Sequence, residues 1–217
     1  MGGPFVRLLL VLAVPFSVAS VDLDRMQATM SARFGAGGVQ ALRDWREMLQ
    51  QAASLGEADK LRRTNDFFNR RIRFLDDDVV WGKPDYWATP LEFLGRGAGD
   101  CEDYAIAKYH SLIELGVPSS RLRMIYVRAT LGAPGSTVQV AHMVLGYYAE
   151  PDAEPLVLDN LISDIRPASR RPDLAPVFSF GSEGVFVSGS NRPSSPVDRL
   201  SLWADLRLRM KAEGYEP

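Results

Sequence analysis

Apolar residues recur at three- and four-residue spacing through the first third of the chain. Leu42, Trp45, Met48 and Leu49 share one helical face, and Asn65, Phe67, Phe68 and Ile72 continue the pattern after a turn at Leu55-Gly56. Residues 23–72 therefore read as helices, broken by GAGG at 35–38. Phe74–Ala88 carries Asp76, Asp77 and Asp78, two tryptophans and Pro84, and reads as an ordered aromatic loop. Thr89-Pro90 opens the next helix, with Thr89 as N-cap and Pro90 in the first helical position. After glycines 95, 97 and 99, a flexible approach, Asp100 is the expected N-cap of a helix running to Leu115. Gly116 and Pro118 end it. Beyond it the period changes to two. Leu122–Arg128 and Val138–Tyr148 are rich in β-branched and aromatic residues, and Leu156–Asp159 follows a turn at 151–155. Val177–Phe180 and Val185–Val187 are further strands, 188–196 is a surface loop, and Val197–Met210 is a closing helix. Helices followed by a mostly antiparallel sheet make an α+β domain.

The first twenty residues stand apart. Arg7 precedes an apolar run from Leu8 to Phe16, and small residues (Ser17, Ala19, Ser20) follow at cleavage-site positions. That layout is a secretory signal peptide over 1–20, leaving a domain over 21–217. Its removal takes one cation and no acid, which moves the formal net charge of the 217-residue chain from −2 to −3. A balance so close to neutral, with a pI near 5.8, argues against a dedicated nucleic-acid binder. The single cysteine excludes an internal disulfide and a multi-cysteine zinc site.

In an exported chain that lone thiol is either buried and inert or kept for its reactivity. Cys101 follows Gly-Ala-Gly-Asp at a predicted helix N-terminus, where unpaired N–H groups favour a thiolate. The plainer alternative is a small residue packing helix against sheet. His142 lies mid-strand on the face of Val140 and Val144, and by itself suits a satisfied core histidine. Asp159, at the end of the next strand, could be brought beside it. Thiol, imidazole and carboxylate would then form a nucleophilic triad. His110 is nine residues along the helix from Cys101, about 13 Å of rise, too far for proton transfer.

The order Cys, His, Asp resembles the transglutaminase-like arm of the papain-type cysteine enzymes. WGKPDYWATPLEFLGRGAGDCEDYAIAKY, AHMVLGYY and LDNL resemble more closely the bacterial transglutaminase-like cysteine proteinases, the LapG-type adhesin proteases, from about Asn65 to Phe180. That resemblance implies a papain-like fold, N-terminal helices packed on an antiparallel sheet. It implies Cys101 as nucleophile, His142 as general base and Asp159 as the residue orienting it. It further implies a periplasmic enzyme that cuts the N-terminal region of a large surface adhesin after a di-alanine. A membrane-bound cyclic-di-GMP receptor would restrain it.

Asp100, Glu102 and Asp103 crowd the thiol. As helix-capping acids each contributes up to about 1 kcal/mol, yet together they oppose thiolate formation. A bound divalent cation removes the conflict, and hard oxygen ligands suit calcium better than zinc. Members of the resembled family are calcium-dependent, which implies Asp100 and Glu102 as Ca2+ ligands, with Asp103 third. The aromatic loop from Trp81 to Trp87 either walls the core or lines a substrate groove. The backbone N–H of Cys101 is one expected oxyanion donor. Two further functions share these features. One is a transglutaminase-type acyltransferase passing the thioester to an amine. The other is a non-catalytic calcium-binding module in which Cys101 only packs.

Overall fold

The computed structural model describes residues 21–215 apart from 134, 188, 189 and 191. The expected signal peptide, residues 1–20, lies outside them, as does part of the loop expected over 188–196. No helix among the described residues is long and apolar enough to cross a membrane.

Helix α1, Leu23–Ala52, buries Met26, Met30, Leu42, Trp45 and Met48 on one side. The break expected at GAGG is a kink inside this helix. Gly35 turns the chain at φ 61°, ψ −153°, a conformation open to glycine, and both flanks remain helical. Helix α2, Glu57–Arg71, starts after Gly56 and carries Glu57 and Asp59 in its first turn and Arg70 and Arg71 in its last. Those charges match the helix dipole at both ends.

A two-residue strand β1, Arg73–Phe74, leads into the segment expected as a loop. It contains one helical turn, α3, Asp77–Val80, closed by the Trp81 N–H on the Asp77 carbonyl. Helix α4, Pro90–Arg96, opens on a full capping box. Thr89 Oγ1 accepts from the Glu92 N–H at 3.1 Å, and Glu92 Oε2 accepts from the Thr89 N–H at 2.9 Å. Strand β2, Ala98–Gly99, pairs in parallel with β1 and delivers the chain to helix α5, Cys101–Glu114.

The glycines before α5 are therefore not a flexible approach. Gly97 is the left-handed cap of α4 (φ 63°). Gly95 lies against the Phe34 ring, and Gly99 against Asp103 and the Phe93 ring. Both sites lack room for a side chain.

Helix α5 is buried nearly all round, from Asp103 to Tyr109 without interruption, and marks the centre of the molecule. Trp45 of α1 donates its indole N–H to Ser111 Oγ at 2.8 Å, tying the outer helix to the inner one. On its other side α5 packs on the sheet, where Met124, Met143, Leu145 and Phe180 join the main core.

The sheet consists of β3 Leu122–Thr130, β4 Gln139–Tyr147, β5 Leu156–Leu158, β6 Arg166–Pro167, β7 Leu174–Gly181 and β8 Gly184–Val187. Their spatial order is β6-β5-β4-β3-β7-β8, every neighbour antiparallel. A 3-10 turn at Val197–Arg199 precedes the closing helix α6, Ser201–Glu213. Buried Glu92 then ties three helices together, with Arg33 of α1 and Arg209 of α6 each 2.6 Å from its carboxylate. The α+β expectation holds.

Candidate active site

Cys101 is the first residue of α5 and is partly exposed. Its thiol donates to Glu102 Oε2 at 2.9 Å, and the backbone N–H of Met143 lies close enough to favour its ionised form. The second contact sets the sulfur against β4 at the residue following His142. Burial, and then the charge and hydrogen bond of Glu102, push the thiol well above its ordinary range. A thiol so placed would need positive charge nearby to ionise.

His142 and Asp159 meet as expected. The ring Nε2 lies 2.8 Å from Asp159 Oδ1, and both side chains are buried. Asp159 follows β5, whose pairing with β4 brings Leu158 opposite Leu145 and carries the next residue to His142. With Nε2 on the carboxylate, Nδ1 is the ring nitrogen left for proton exchange.

The carboxylate has two further partners that the sequence did not disclose. The Leu161 N–H donates to Oδ1 at 3.0 Å, and Arg171 Nη2 donates to Oδ2 at 2.6 Å. Arg171 is itself buried and is held by Asp173 at 2.7 Å. Burial opposes ionisation of Asp159. The His142 hydrogen bond and charge, the Leu161 N–H and Arg171 outweigh it and bring the carboxyl down to about 2. Lys108, one side of α5 away from solvent, is fully buried and brought down to about 7 by that burial, against the opposing charge of Asp159. His110, excluded above by distance, packs at the far half of α5 with its ring stacked on Trp203 at 6.0 Å.

The acids form a larger cluster than Asp100, Glu102 and Asp103. Carboxylate oxygens of Asp77, Asp100 and Asp103 lie within 4.8 Å of one another, and so do those of Asp77, Asp85 and Glu102. Asp77 belongs to both groups. It arrives on α3, and Asp85 on the loop after it. Asp100 stands at the N-cap position of α5 but makes no capping hydrogen bond, so the capping account of that residue fails. Among the described residues Asp77 Oδ1, Asp100 Oδ1 and Asp103 Oδ2 are buried without a hydrogen-bond partner. The remaining oxygen of Asp103 accepts from the Ala88 N–H at 2.7 Å, and that of Asp77 from the Tyr86 N–H.

Burial first, then mutual repulsion, raises Asp77 to about 6 and Asp100 to about 10. Burial drives Asp103 well up too, the N–H of Ala88 only partly offsetting it. Unpaired, crowded carboxylate oxygens facing one another are the donor set of a hard divalent cation, and these residues fit one.

The aromatic segment acts mainly as a wall. Trp87 is buried and stacks on Phe180 at 5.6 Å, and Trp81 leans on Tyr86 at 4.9 Å. In the sheet, Tyr126 of β3 stacks on Phe178 of β7 at 5.3 Å.

A family model for the bacterial transglutaminase-like cysteine proteinases matches residues 43–172. Among solved structures, Legionella pneumophila LapG is similar at 35% identity with a TM-score of 0.73, over 86% of this chain and 96% of that one. An EGTA-treated form of that protein matches at 35% identity and a TM-score of 0.75, over 86% of this chain and 96% of the other. Its calcium-bound form matches at 36% and 0.73, over 86% and 98%. Among curated proteins, none matches.

Proposed function

The chain belongs to the bacterial transglutaminase-like cysteine proteinases, and from that premise we propose a calcium-dependent periplasmic endopeptidase with Cys101, His142 and Asp159 as its triad. Its substrate is the N-terminal region of a large surface adhesin, cut after a di-alanine so that the adhesin leaves the cell and the biofilm disperses. Residues 1–20 are the export signal. An inner-membrane cyclic-di-GMP receptor is the inhibitory partner.

One observation carries the catalytic part. The Cys101 sulfur lies near the Met143 N–H on the strand of His142, whose Nε2 is fixed by Asp159 at 2.8 Å. His142 Nδ1 takes the thiol proton as the sulfur attacks the scissile carbonyl carbon. The backbone N–H of Cys101 faces the developing oxyanion. Collapse breaks the C–N bond, His142 gives its proton to the leaving amine, and a thioester remains. Water, deprotonated by the same nitrogen, then releases the acid and restores the thiol. Asp159, anchored by Arg171, stabilises the imidazolium formed in each half.

Asp77, Asp85, Asp100, Glu102 and Asp103 would hold the cation. Calcium bound there supplies positive charge that offsets the carboxylates crowding the thiol. The calcium-bound form of the Legionella relative supports this reading.

Mass spectrometry of a recombinant adhesin N-terminal fragment, incubated with the mature protein in calcium or in chelator, tests it. The expected result is one cut after a di-alanine, in calcium only, absent with Cys101→Ser. An intact fragment under both conditions, with folded enzyme, would sink the proposal.

A further inference from the structure

Strand β4 is longer than its neighbour on one side. It pairs with β3 over its whole length, from Gln139 to Tyr147, but β5 covers only Leu145–Tyr147. Among the described residues no strand pairs with Gln139–Val144 on that side, and Gln139, Val140 and Ala141 are exposed.

Which backbone groups face the gap follows from strand parity. The Leu131 N–H donates to the Val138 carbonyl, and the Tyr148 N–H to the Arg121 carbonyl, so even-numbered residues at both ends of β4 turn toward β3. Odd-numbered residues turn outward. Leu145 and Tyr147 accordingly lie opposite β5 residues, and the Met143 N–H lies near Cys101 Sγ. Continuing outward, the N–H and C=O of Ala141 and then Gln139 point into the same open edge. Two residues along a strand span about 7 Å, so these groups begin one pleat from the thiol.

An exposed edge bearing apolar side chains is a liability that proteins usually cover or charge. Here Val138 is 59% exposed and Val140 37%, and neither device is present on Gln139–Ala141. We propose that the open edge of β4 at Gln139 and Ala141 is the substrate-binding track. It would take an extended polypeptide segment as an added strand and lead it to Cys101. This inference rests on the protease reading above. Recognition is then mostly of backbone, by the outward N–H and C=O groups, with the valines selecting small or apolar side chains. A folded or proline-interrupted segment does not fit.

Ala141→Pro removes the outward N–H without touching a hydrogen bond to β3. The expected effect on cleavage of the adhesin N-terminal fragment is a KM raised roughly tenfold, the loss of a pairing hydrogen bond. Alkylation of Cys101 by iodoacetamide reads the thiol independently of any peptide and is measured alongside. Should the proline disturb the site, hydrogen exchange on Cys101→Ser with the same fragment decides the matter. Slowed exchange at the Ala141 and Gln139 amides supports the track. Normal KM in an intact Ala141→Pro protein, or a bound fragment that leaves both amides unprotected, overturns it while the protease reading stands. If wild type neither cuts nor binds the fragment, the protease reading falls and takes this inference with it.

Discussion

Asp159 is the most heavily constrained side chain in the candidate site, and Arg171 is the partner that makes it so. Removing one member of a buried ion pair strands the other, at a typical cost of about 3–5 kcal/mol. Arg171→Met should therefore lower unfolding free energy by about 3 kcal/mol and slow turnover by misorienting His142, whereas Arg171→Lys should recover part of both. The pH dependence has a definite sign. The Asp159 carboxyl lies at about 2 in the folded protein against 3.8 ordinarily, so its ionisation adds stability above about pH 4 that is lost as pH falls toward 2. In Arg171→Met the folded carboxyl sits closer to its ordinary value, so less stability is lost on acidification, and urea titrations at pH 7 and pH 3 should show a smaller difference for the variant than for wild type. Equal stability of variant and wild type at both pH values would remove Arg171 from this role. Cys101, His142 and Asp159 were legible because the chain has one thiol and because strand spacing could bring the acid to the histidine. Arg171 was not. It sits beside Arg170 in a polar stretch, and only the folded chain distinguishes the buried guanidinium from the exposed one.

At the scale of elements, local signals read well and close approach read poorly. The capping box at Thr89, the start of α5 and the long strands β3 and β4 follow from neighbours a few residues apart, so pattern reveals them. The glycines at 95 and 99 looked like flexibility because sequence does not show what packs on them. A Cβ at Gly99 would lie 2.3 Å from Asp103 Oδ2 and 2.7 Å from the Phe93 ring. Gly99→Ala must push one of them away. Overpacking of that kind costs about 1–3 kcal/mol. Because β2 feeds directly into α5, the displacement should also weaken divalent-cation affinity through Asp103. Chemical denaturation together with calcium titration by calorimetry checks both. A Gly99→Ala protein with wild-type stability and affinity would mean that β2 yields without cost. The short helix α3 was missed for a related reason, being a single turn inside an aromatic loop.

Across the whole molecule, the acid cluster joins parts of the chain that have no sequence relation. Asp77 comes from α3, Asp85 from the loop beyond it, and Asp100, Glu102 and Asp103 from the start of α5. Three of these were visible beside the cysteine. The other two became candidates only when β1–β2 pairing folded the intervening chain back on itself. A cation here would bind the native arrangement and not the unfolded chain, so it should act on global stability as well as on cleavage. At about one hundred times its dissociation constant a ligand adds about 2.7 kcal/mol, which for a domain of this size raises Tm by roughly 5–10 °C. Calcium should therefore raise Tm and chelation lower it. Asp77→Asn, which removes charge from both carboxylate groups at once, should lose most of that rise, while Asp78→Asn, outside both groups, should keep it. Identical melting of wild type in calcium and in chelator would refute the cation site without reference to any substrate. A rise that Asp77→Asn retains in full would locate the ion elsewhere. The cluster spans the junction between the aromatic loop and the helix bearing the thiol, so its neutralisation should tighten that junction and favour the thiolate together.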